Sequence, residues 1–177
     1  DLIHSAAFAG ADAAKFQHFK AETIVSDLGF KSLDIDLSHQ EAWNKSAFQV
    51  YKEASVSSLW TAALKSECDK AGITFMTTPY SFDLTDHIDP YVPAYKIGSG
   101  DITWLEFLSF IAKKQKPVLL ASGASDLLEV KDAVKAIREF NDRIILMQCN
   151  TNYTGNVDNF NFINLNVLNL YQRVFPD

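Results

Sequence analysis

Two cysteines, seven glycines and five prolines are few for 177 residues, and each scarcity excludes a class of protein. Cys68 and Cys149 lie far apart and share no metal-type spacing, which speaks against a disulfide scaffold or a zinc ribbon. Two reduced thiols in a cytoplasmic protein are expected. The low glycine and proline content excludes collagen-like and low-complexity chains. No apolar run approaches the roughly 20 residues of a membrane helix, and the N-terminus has no signal-peptide layout. No membrane partner is expected. Basic charge is also short, with 16 Lys+Arg against 22 Asp+Glu and a net charge of −6. Such a surface repels polyphosphate backbones, so no nucleic-acid partner is expected.

What remains is a globular composition, 47% hydrophobic and 21% charged, long enough for one domain with a substantial core. Residues 1–177 are expected to form a single domain. The chain opens on Asp1 without Met and stops at Phe175-Pro176-Asp177, where a turn is expected, so a piece of a longer protein is anticipated.

Short apolar runs alternate with amphipathic stretches. Strands are predicted over 11–17, 72–79, 93–100, 117–123 and 144–150, each bounded by small or polar residues. Helices are predicted between them. Residues 57–71 place Trp60, Leu64 and Cys68 on one face and stop at Gly72. Thr103 and Glu106 have capping-box spacing for a helix through Phe107, Phe110 and Ile111 to Lys113-Lys114, with Trp104 also at core spacing. Ser125 or Asp126 caps a helix striped by Leu127, Val130, Val134 and Ile137. A last helix is predicted over 162–174, and 29–49 reads as a loop leading into a short helix near 43–51. The βα order implies a parallel sheet with right-handed crossovers. A doubly wound sheet and a (β/α)8 barrel both fit, the latter incomplete at this length.

Ligands of either architecture sit at the C-terminal strand ends. Those ends carry Lys15 and Gln17; Thr77 and Thr78; Lys96, Ser99 and Asp101; Ser122 and Ser125; and Gln148, Asn150, Thr151, Asn152 and Tyr153. Two lysines in strands, with hydroxyls and the Gly98 and Gly100 amides, suit a phosphate or carboxylate. The plainer readings are ion pairs with Asp12 or Asp101, a simple turn at Gly98–Gly100, and Asp101 as a helix cap. Neither a dinucleotide fingerprint nor a P-loop is present, and Ser122 is not in a nucleophile elbow. His4, His18, His39 and His87 are scattered without ligand spacing, so surface or hydrogen-bonded histidines are expected.

At these same residues the chain resembles the sialic acid (N-acetylneuraminate) synthase family. Gly10-Ala11-Asp12-Ala13-Ala14-Lys15-Phe16-Gln17 followed by Phe19-Lys20-Ala21-Glu22-Thr23 is similar to the family's GADAVKFQxFKAET stretch. Pro93 to Asp101 is similar to PAYKIxSG[DE], and Thr77-Thr78-Pro79-Tyr80, Leu120-Ala121-Ser122-Gly123 and Cys149 to Tyr153 match the STPF, LSTG and HCxxxYP positions. The resemblance covers nearly the whole chain. It implies a (β/α)8 barrel, of which this chain resembles strands two to six. The implied reaction condenses phosphoenolpyruvate with an N-acetylmannosamine-type sugar, giving a nine-carbon 2-keto sugar acid and phosphate. C3 of phosphoenolpyruvate attacks the aldehyde, which a divalent metal (Mn or Mg) polarises; water adds at C2 and phosphate leaves with C–O cleavage.

By matching position, Lys15, Lys96, Thr78 and Ser99 hold phosphoenolpyruvate, Gln17 and Tyr153 face the amino sugar, and Asp101 acts on a sugar hydroxyl or metal-bound water. Asp101 stands where many members have Glu. Ala121 replaces a phosphate-binding Ser, a role passed to Ser122, and Thr151 stands where several members have Asn, beside Asn150 and Asn152. The resemblance implies that the first strand precedes Asp1, and that both metal histidines and an antifreeze-like domain follow Asp177. It also implies a homodimer for the intact enzyme and no synthase activity for this segment alone. A synthase for legionaminic, pseudaminic or spore-coat sugars, a non-catalytic fragment, and a generic phosphate-binding barrel are the alternatives.

Overall fold

The computed structural model describes residues 1–32, 44–153 and 155–176. Of the sequence expectations, the loop over 33–43, Trp43 and His39 lie outside the described residues. The chain divides into two compact units, Asp1–Tyr95 and Lys96–Asp177.

The first unit runs α1 (Leu2–Phe8), β1 (Ala13–His18), α2 (Ala21–Ile24), α3 (Asp27–Ser32), α4 (Ala47–Ala54), α5 (Thr61–Lys70), β2 (Thr74–Pro79) and α6 (Phe82–Ile88). β1 and β2 pair in parallel with Lys15 opposite Met76 and Gln17 opposite Thr78. Strand alternation gives this pair two faces. Phe16, His18, Phe75 and Thr77 share one, where Phe16 stacks on Phe75 at 5.5 Å between ring centres and α5 and α6 pack against β2. Lys15, Gln17, Met76 and Thr78 share the other.

Helix α5 starts later than the sequence suggests. Residues Ser58–Trp60 form a 3-10 turn, and Thr61 opens the helix. The turn rotates Trp60 off the Leu64–Cys68 stripe, so Trp60 is 63% exposed while Thr61 and Cys68 are fully buried. Positions 61, 64 and 68 keep the helical spacing of an inward face.

The chain continues through β3 (Tyr95–Ile97), α7 (Leu105–Ala112), β4 (Val118–Ala121), α8 (Leu127–Arg138), β5 (Ile144–Met147) and α9 (Val167–Val174). These strands form a sheet in the order β3-β4-β5, with β4 and β5 parallel. Phe107, Leu108 and Ile111 of α7 and Val130, Ala133 and Ile137 of α8 are buried where the two helices pack, with Val118 and Leu120 of β4 buried too. The described strands make two parallel sheets, of two and three strands, and no closed barrel.

Two helix starts contrast. At α8, the Asp126 carboxylate accepts from the Leu128 and Glu129 amides at 2.8 and 2.9 Å, and Glu129 accepts from the Asp126 amide at 2.8 Å. Of the two expected caps, Ser125 and Asp126, it is Asp126 that serves, and it does so in a capping box. At α7 the expected box does not form: Trp104 is the N-cap, with no side-chain cap. The 3-10 turn Ser99–Asp101 extends through the Trp104 N–H to Asp101 carbonyl bond at 3.0 Å, keeping Thr103 inside the turn and moving the helix start along by one residue. Trp104 is consequently 37% exposed, stacked on the buried Phe107. The last expected helix is also shortened, to a 3-10 segment Val157–Phe162 and α9, because Asn164 between them takes a left-handed φ of 52°.

The contrast is measurable. Asp126→Ala should lower stability by about 1 kcal/mol, as loss of an N-cap does, whereas Thr103→Ala should cost much less. Urea unfolding of both variants checks this, and equal losses would contradict the assigned caps.

Candidate functional site

The polar residues fall at the C-terminal ends of parallel strands, and each unit holds its own set. In the first unit, Lys15 is exposed rather than desolvated, and it makes no ion pair among the described residues. The expected Asp12 partner is not engaged. Gln17, two residues on and on the same face, donates its amide Nε2 to the Tyr80 hydroxyl at 2.8 Å. Thr78, opposite Gln17, is buried to 2% exposure. Lys15, Gln17 and Phe19 line a cleft of ≈ 680 Å³ whose far wall is Val50, Tyr51 and Ala54 of α4.

In the second unit, β3 ends at Ile97 and the chain turns through Ser99–Asp101. Lys96 is half-buried, and its ammonium donates to the Ile97 carbonyl at 2.6 Å. Burial pushes the Asp101 carboxyl up to about 6, against the opposing pull of the Lys96 charge. Asp101 caps no helix by its side chain; its backbone carbonyl closes the turn instead.

Ser99 accepts the Gly123 N–H at 3.0 Å, tying the end of β3 to the end of β4. A Cβ on Gly123 would stand 2.5 Å from Thr151 Cγ2, 2.7 Å from the Cys149 carbonyl oxygen and 2.8 Å from Ser99 Oγ. Ser99 and Thr151 therefore both crowd Gly123, so three successive strand ends meet at this residue. Ser122 is buried; its hydroxyl lies 3.0 Å from the Met147 carbonyl and 2.8 Å from the Tyr171 hydroxyl. With Ser122 donating to Met147, Tyr171 donates to Ser122.

Ser122, Asp126, Gln148, Asn150, Thr151 and Asn152 line a cleft of ≈ 430 Å³. Within it Asn150 serves the loop: its Nδ2 donates to the Asn159 carbonyl and side chain at 3.2 and 3.0 Å, and its Oδ1 accepts the Asn152 amide at 2.8 Å. Tyr153 is 77% exposed. Gln148 donates to the Ile163 carbonyl at 3.0 Å.

The side chains that hold these sets were not singled out in the sequence as supports. Tyr80 positions Gln17, and Tyr171, 49 residues beyond Ser122, orients that hydroxyl; no local pattern marks such distant pairs. Histidine is the other surprise. His18 is fully buried with Nδ1 at 2.9 Å from the Thr77 hydroxyl and Nε2 at 2.9 Å from the Thr61 hydroxyl. His87 meets Thr61 at 3.0 Å, and His4 pairs with Glu67 at 3.1 Å. These imidazoles are engaged by hydroxyls, a single carboxylate and, for His87, the Ser58 carbonyl at 3.2 Å, and no trio of His, Cys, Asp or Glu gathers among the described residues. The described side chains do not fit a divalent-metal centre. No helix among the described residues is long and apolar enough to cross a membrane.

Comparison with known proteins adds the rest. The NeuB family matches residues 2–176. The chain is 30% identical over 168 residues to the N,N'-diacetyllegionaminic acid synthase of Legionella pneumophila, covering 91% of this chain and 46% of that protein. It is 27% identical over 177 residues to the N-acetylneuraminate-9-phosphate synthase of Mus musculus, covering 99% and 48% respectively. The crystal structure of the sialic acid synthetase of Leptospira borgpetersenii, in complex with citrate, superposes with a TM-score of 0.79 at 25% identity. That match covers 98% of this chain and 54% of the other. The chain spans about half the length of the curated relatives it matches.

Two outcomes follow from the second unit's geometry. Gly123→Ala places a methyl against a backbone carbonyl, so it should cost about 1–3 kcal/mol, as overpacking does; denaturant unfolding reads this, and an unchanged midpoint would refute the close approach. For Asp101 the raised folded value favours the protonated form. Its contribution to stability is present below its ordinary value of 3.8 and is lost as pH rises through about 6. Asp101→Asn should therefore raise Tm at pH 7 and leave it nearly unchanged at pH 4. A Tm difference independent of pH would contradict the burial of this carboxyl.

Proposed function

The chain belongs to the NeuB family, and on that premise we propose that the protein carrying it condenses phosphoenolpyruvate with an N-acetylmannosamine-type acetamido sugar. The product is a nine-carbon, sialic-acid-like 2-keto sugar acid, with release of phosphate. The five strands are assigned to strands two to six of a (β/α)8 barrel, and both compact units to one catalytic domain. The protein is assigned to the cytoplasm, where such a biosynthetic enzyme meets phosphoenolpyruvate, and to a homodimer.

One observation carries this reading: the half-buried Lys96 beside Asp101, whose carboxyl is pushed up to about 6, at the strand end where Ser99 holds the Gly123 amide. A trianionic enol phosphate needs fixed cations and hydroxyls in place before it reacts, because such groups cost no reorganisation at the moment of reaction. Lys96 and Ser99 supply one cation and one hydroxyl; Lys15 and Thr78 supply the others. Ser122, Thr151 and Asn152 extend the polar lining of the second unit's cleft, Ser122 in the phosphate-binding role. Gln17 and Tyr153 face the acetamido sugar.

In the reaction C3 of phosphoenolpyruvate bonds to the aldehyde carbon, whose oxygen gains a proton. Water adds at C2, and the C2–O bond to phosphate breaks. A carboxyl near 6 is suited to both proton movements, taking one from water and returning one to the new alkoxide. Asp101 is assigned this role. A divalent ion of the kind on which synthases of this family generally depend would supply Lewis acidity at the aldehyde. Its ligands are assigned outside the described residues. The segment alone is accordingly expected to release no phosphate.

The test is Lys96→Ala in the full-length protein. A charge-assisted contact is worth about 1.5–3 kcal/mol, so kcat/KM should fall roughly ten- to over a hundredfold with the circular dichroism spectrum unchanged. A variant within about twofold of the unaltered protein would remove Lys96 from the site.

A further inference from the structure

The face of the β1–β2 pair that meets α5 and α6 is not filled by aliphatic side chains alone. Four polar groups from four elements are buried or half-buried there: His18 of β1, Thr77 of β2, Thr61 of α5 and His87 of α6. Hydrogen bonds link all four, and the Ser58 carbonyl, 3.2 Å from His87 Nε2, joins them. Thr61 donates to the Ser58 carbonyl at 2.9 Å, leaving its lone pairs for His18 Nε2 at 2.9 Å and His87 Nε2 at 3.0 Å. With Thr61 donating in this way, His18 carries its proton on Nε2 and its Nδ1 accepts from Thr77 at 2.9 Å. Burial, and then the proximity of His87 at 6.4 Å between ring centres, lower the His18 pKa and keep the ring neutral.

Such a network is a costly way to fill a core, since each buried polar group forfeits solvation. Its return is geometric, because apolar packing tolerates small slides of helix on sheet and directed hydrogen bonds do not. The network also sits directly behind substrate-facing positions. Thr77 immediately precedes Thr78, His18 immediately follows Gln17, and the His18 carbonyl accepts the Tyr80 N–H at 3.0 Å. Tyr80 is in turn the residue whose hydroxyl holds Gln17.

We propose that His18 is a positioning residue: through Thr77 and Thr61 it fixes the ends of β1 and β2, so that Gln17 and Thr78 are presented in register to the acetamido sugar and phosphoenolpyruvate. This rests on the functional reading above. Neither His18 nor Thr77 touches substrate; each acts through its neighbour on the opposite face.

The test compares His18→Leu with His18→Gln in the full-length protein. Leucine fills the volume without polar groups, while the glutamine carboxamide restores one donor and one acceptor. If His18 only filled space, leucine would be the better replacement. Positioning gives the opposite order: His18→Leu should raise both substrate KM values about tenfold with kcat changed less than about threefold, and His18→Gln should recover most of the loss. In His18→Leu the Tyr80 amide should also exchange with deuterium at least about tenfold faster. Should His18→Leu fail to fold, the isosteres Thr61→Val and Thr77→Val each remove one hydroxyl and should raise KM in the same direction. KM values within about twofold in all variants, or glutamine no better than leucine, would overturn the proposal. Absence of condensation by the unaltered protein would instead overturn the functional reading, and the proposal with it.

Discussion

The hydrogen bond from the Gly123 amide to Ser99 Oγ is the contact on which the second unit's site depends. It exists because residue 123 has no side chain. Thr151 Cγ2, the Cys149 carbonyl and Ser99 Oγ all occupy the space a Cβ would need. Three strand ends can therefore converge on one backbone amide, with Ser99 from the turn after β3, Gly123 after β4 and Thr151 after β5. A parallel sheet delivers its strand ends to one edge by construction. The glycine lets those ends close to van der Waals contact, and so places hydroxyl, amide and the Lys96–Asp101 pair within one small region of the chain.

The first unit solves the same problem by another device. No glycine draws its strand ends together. Instead the sheet face turned toward α5 and α6 carries the His18–Thr77–Thr61–His87 set, while Lys15, Gln17 and Thr78 lie on the face opposite. Alternation along a strand makes the two faces inseparable: shifting β1 by one residue would expose His18 and bury Lys15. The buried polar set thus penalises any register but the observed one, since a slipped strand leaves hydroxyls and ring nitrogens without partners. Support and chemistry are coupled through the pleat.

Much of this was legible in the sequence, and the reasons are local. Four of the five strands fall inside the expected ranges and β1 runs one residue past its range, to His18, because β-branched and apolar runs bounded by small residues state length and limits to within a residue. Asp126, one of the two expected caps, serves as the N-cap of α8. Thr103 and Glu106 have capping-box spacing and did not form a box, because a preceding 3-10 turn set the helix start one residue later. Trp60 left its stripe for the same reason, and Asn164 cut the final helix by adopting positive φ. Periodicity reveals that a helix exists; the turn before it sets its phase, and the turn is decided by tertiary contacts. Among the polar positions, Lys96, Ser99 and Asp101 stood out because they share one short segment. Tyr80 and Tyr171 did not, since they reach Gln17 and Ser122 across 63 and 49 residues.

Charge completes the picture. The protein is net negative by six, yet the lysines it sets in strands are at the ends that carry its hydroxyls. A uniformly acidic surface would repel an anion; a cation at a hydroxyl-bearing strand end in each unit gives local attraction while the remaining surface disfavours polyanions. At Asp101 the balance is finer. Burial drives its carboxyl toward the neutral form, and Lys96 draws it back toward the charged one. If Lys96 alone acted, the group would stay ionised and could only accept a proton; if burial alone acted, it would stay protonated and could only give one. Between the two, the carboxyl is held near 6, where both forms are accessible close to neutral pH. In the function proposed above, the lysine that binds the anion would also set the proton affinity of its neighbour, so one charge would govern both occupancy of the site and readiness for proton transfer.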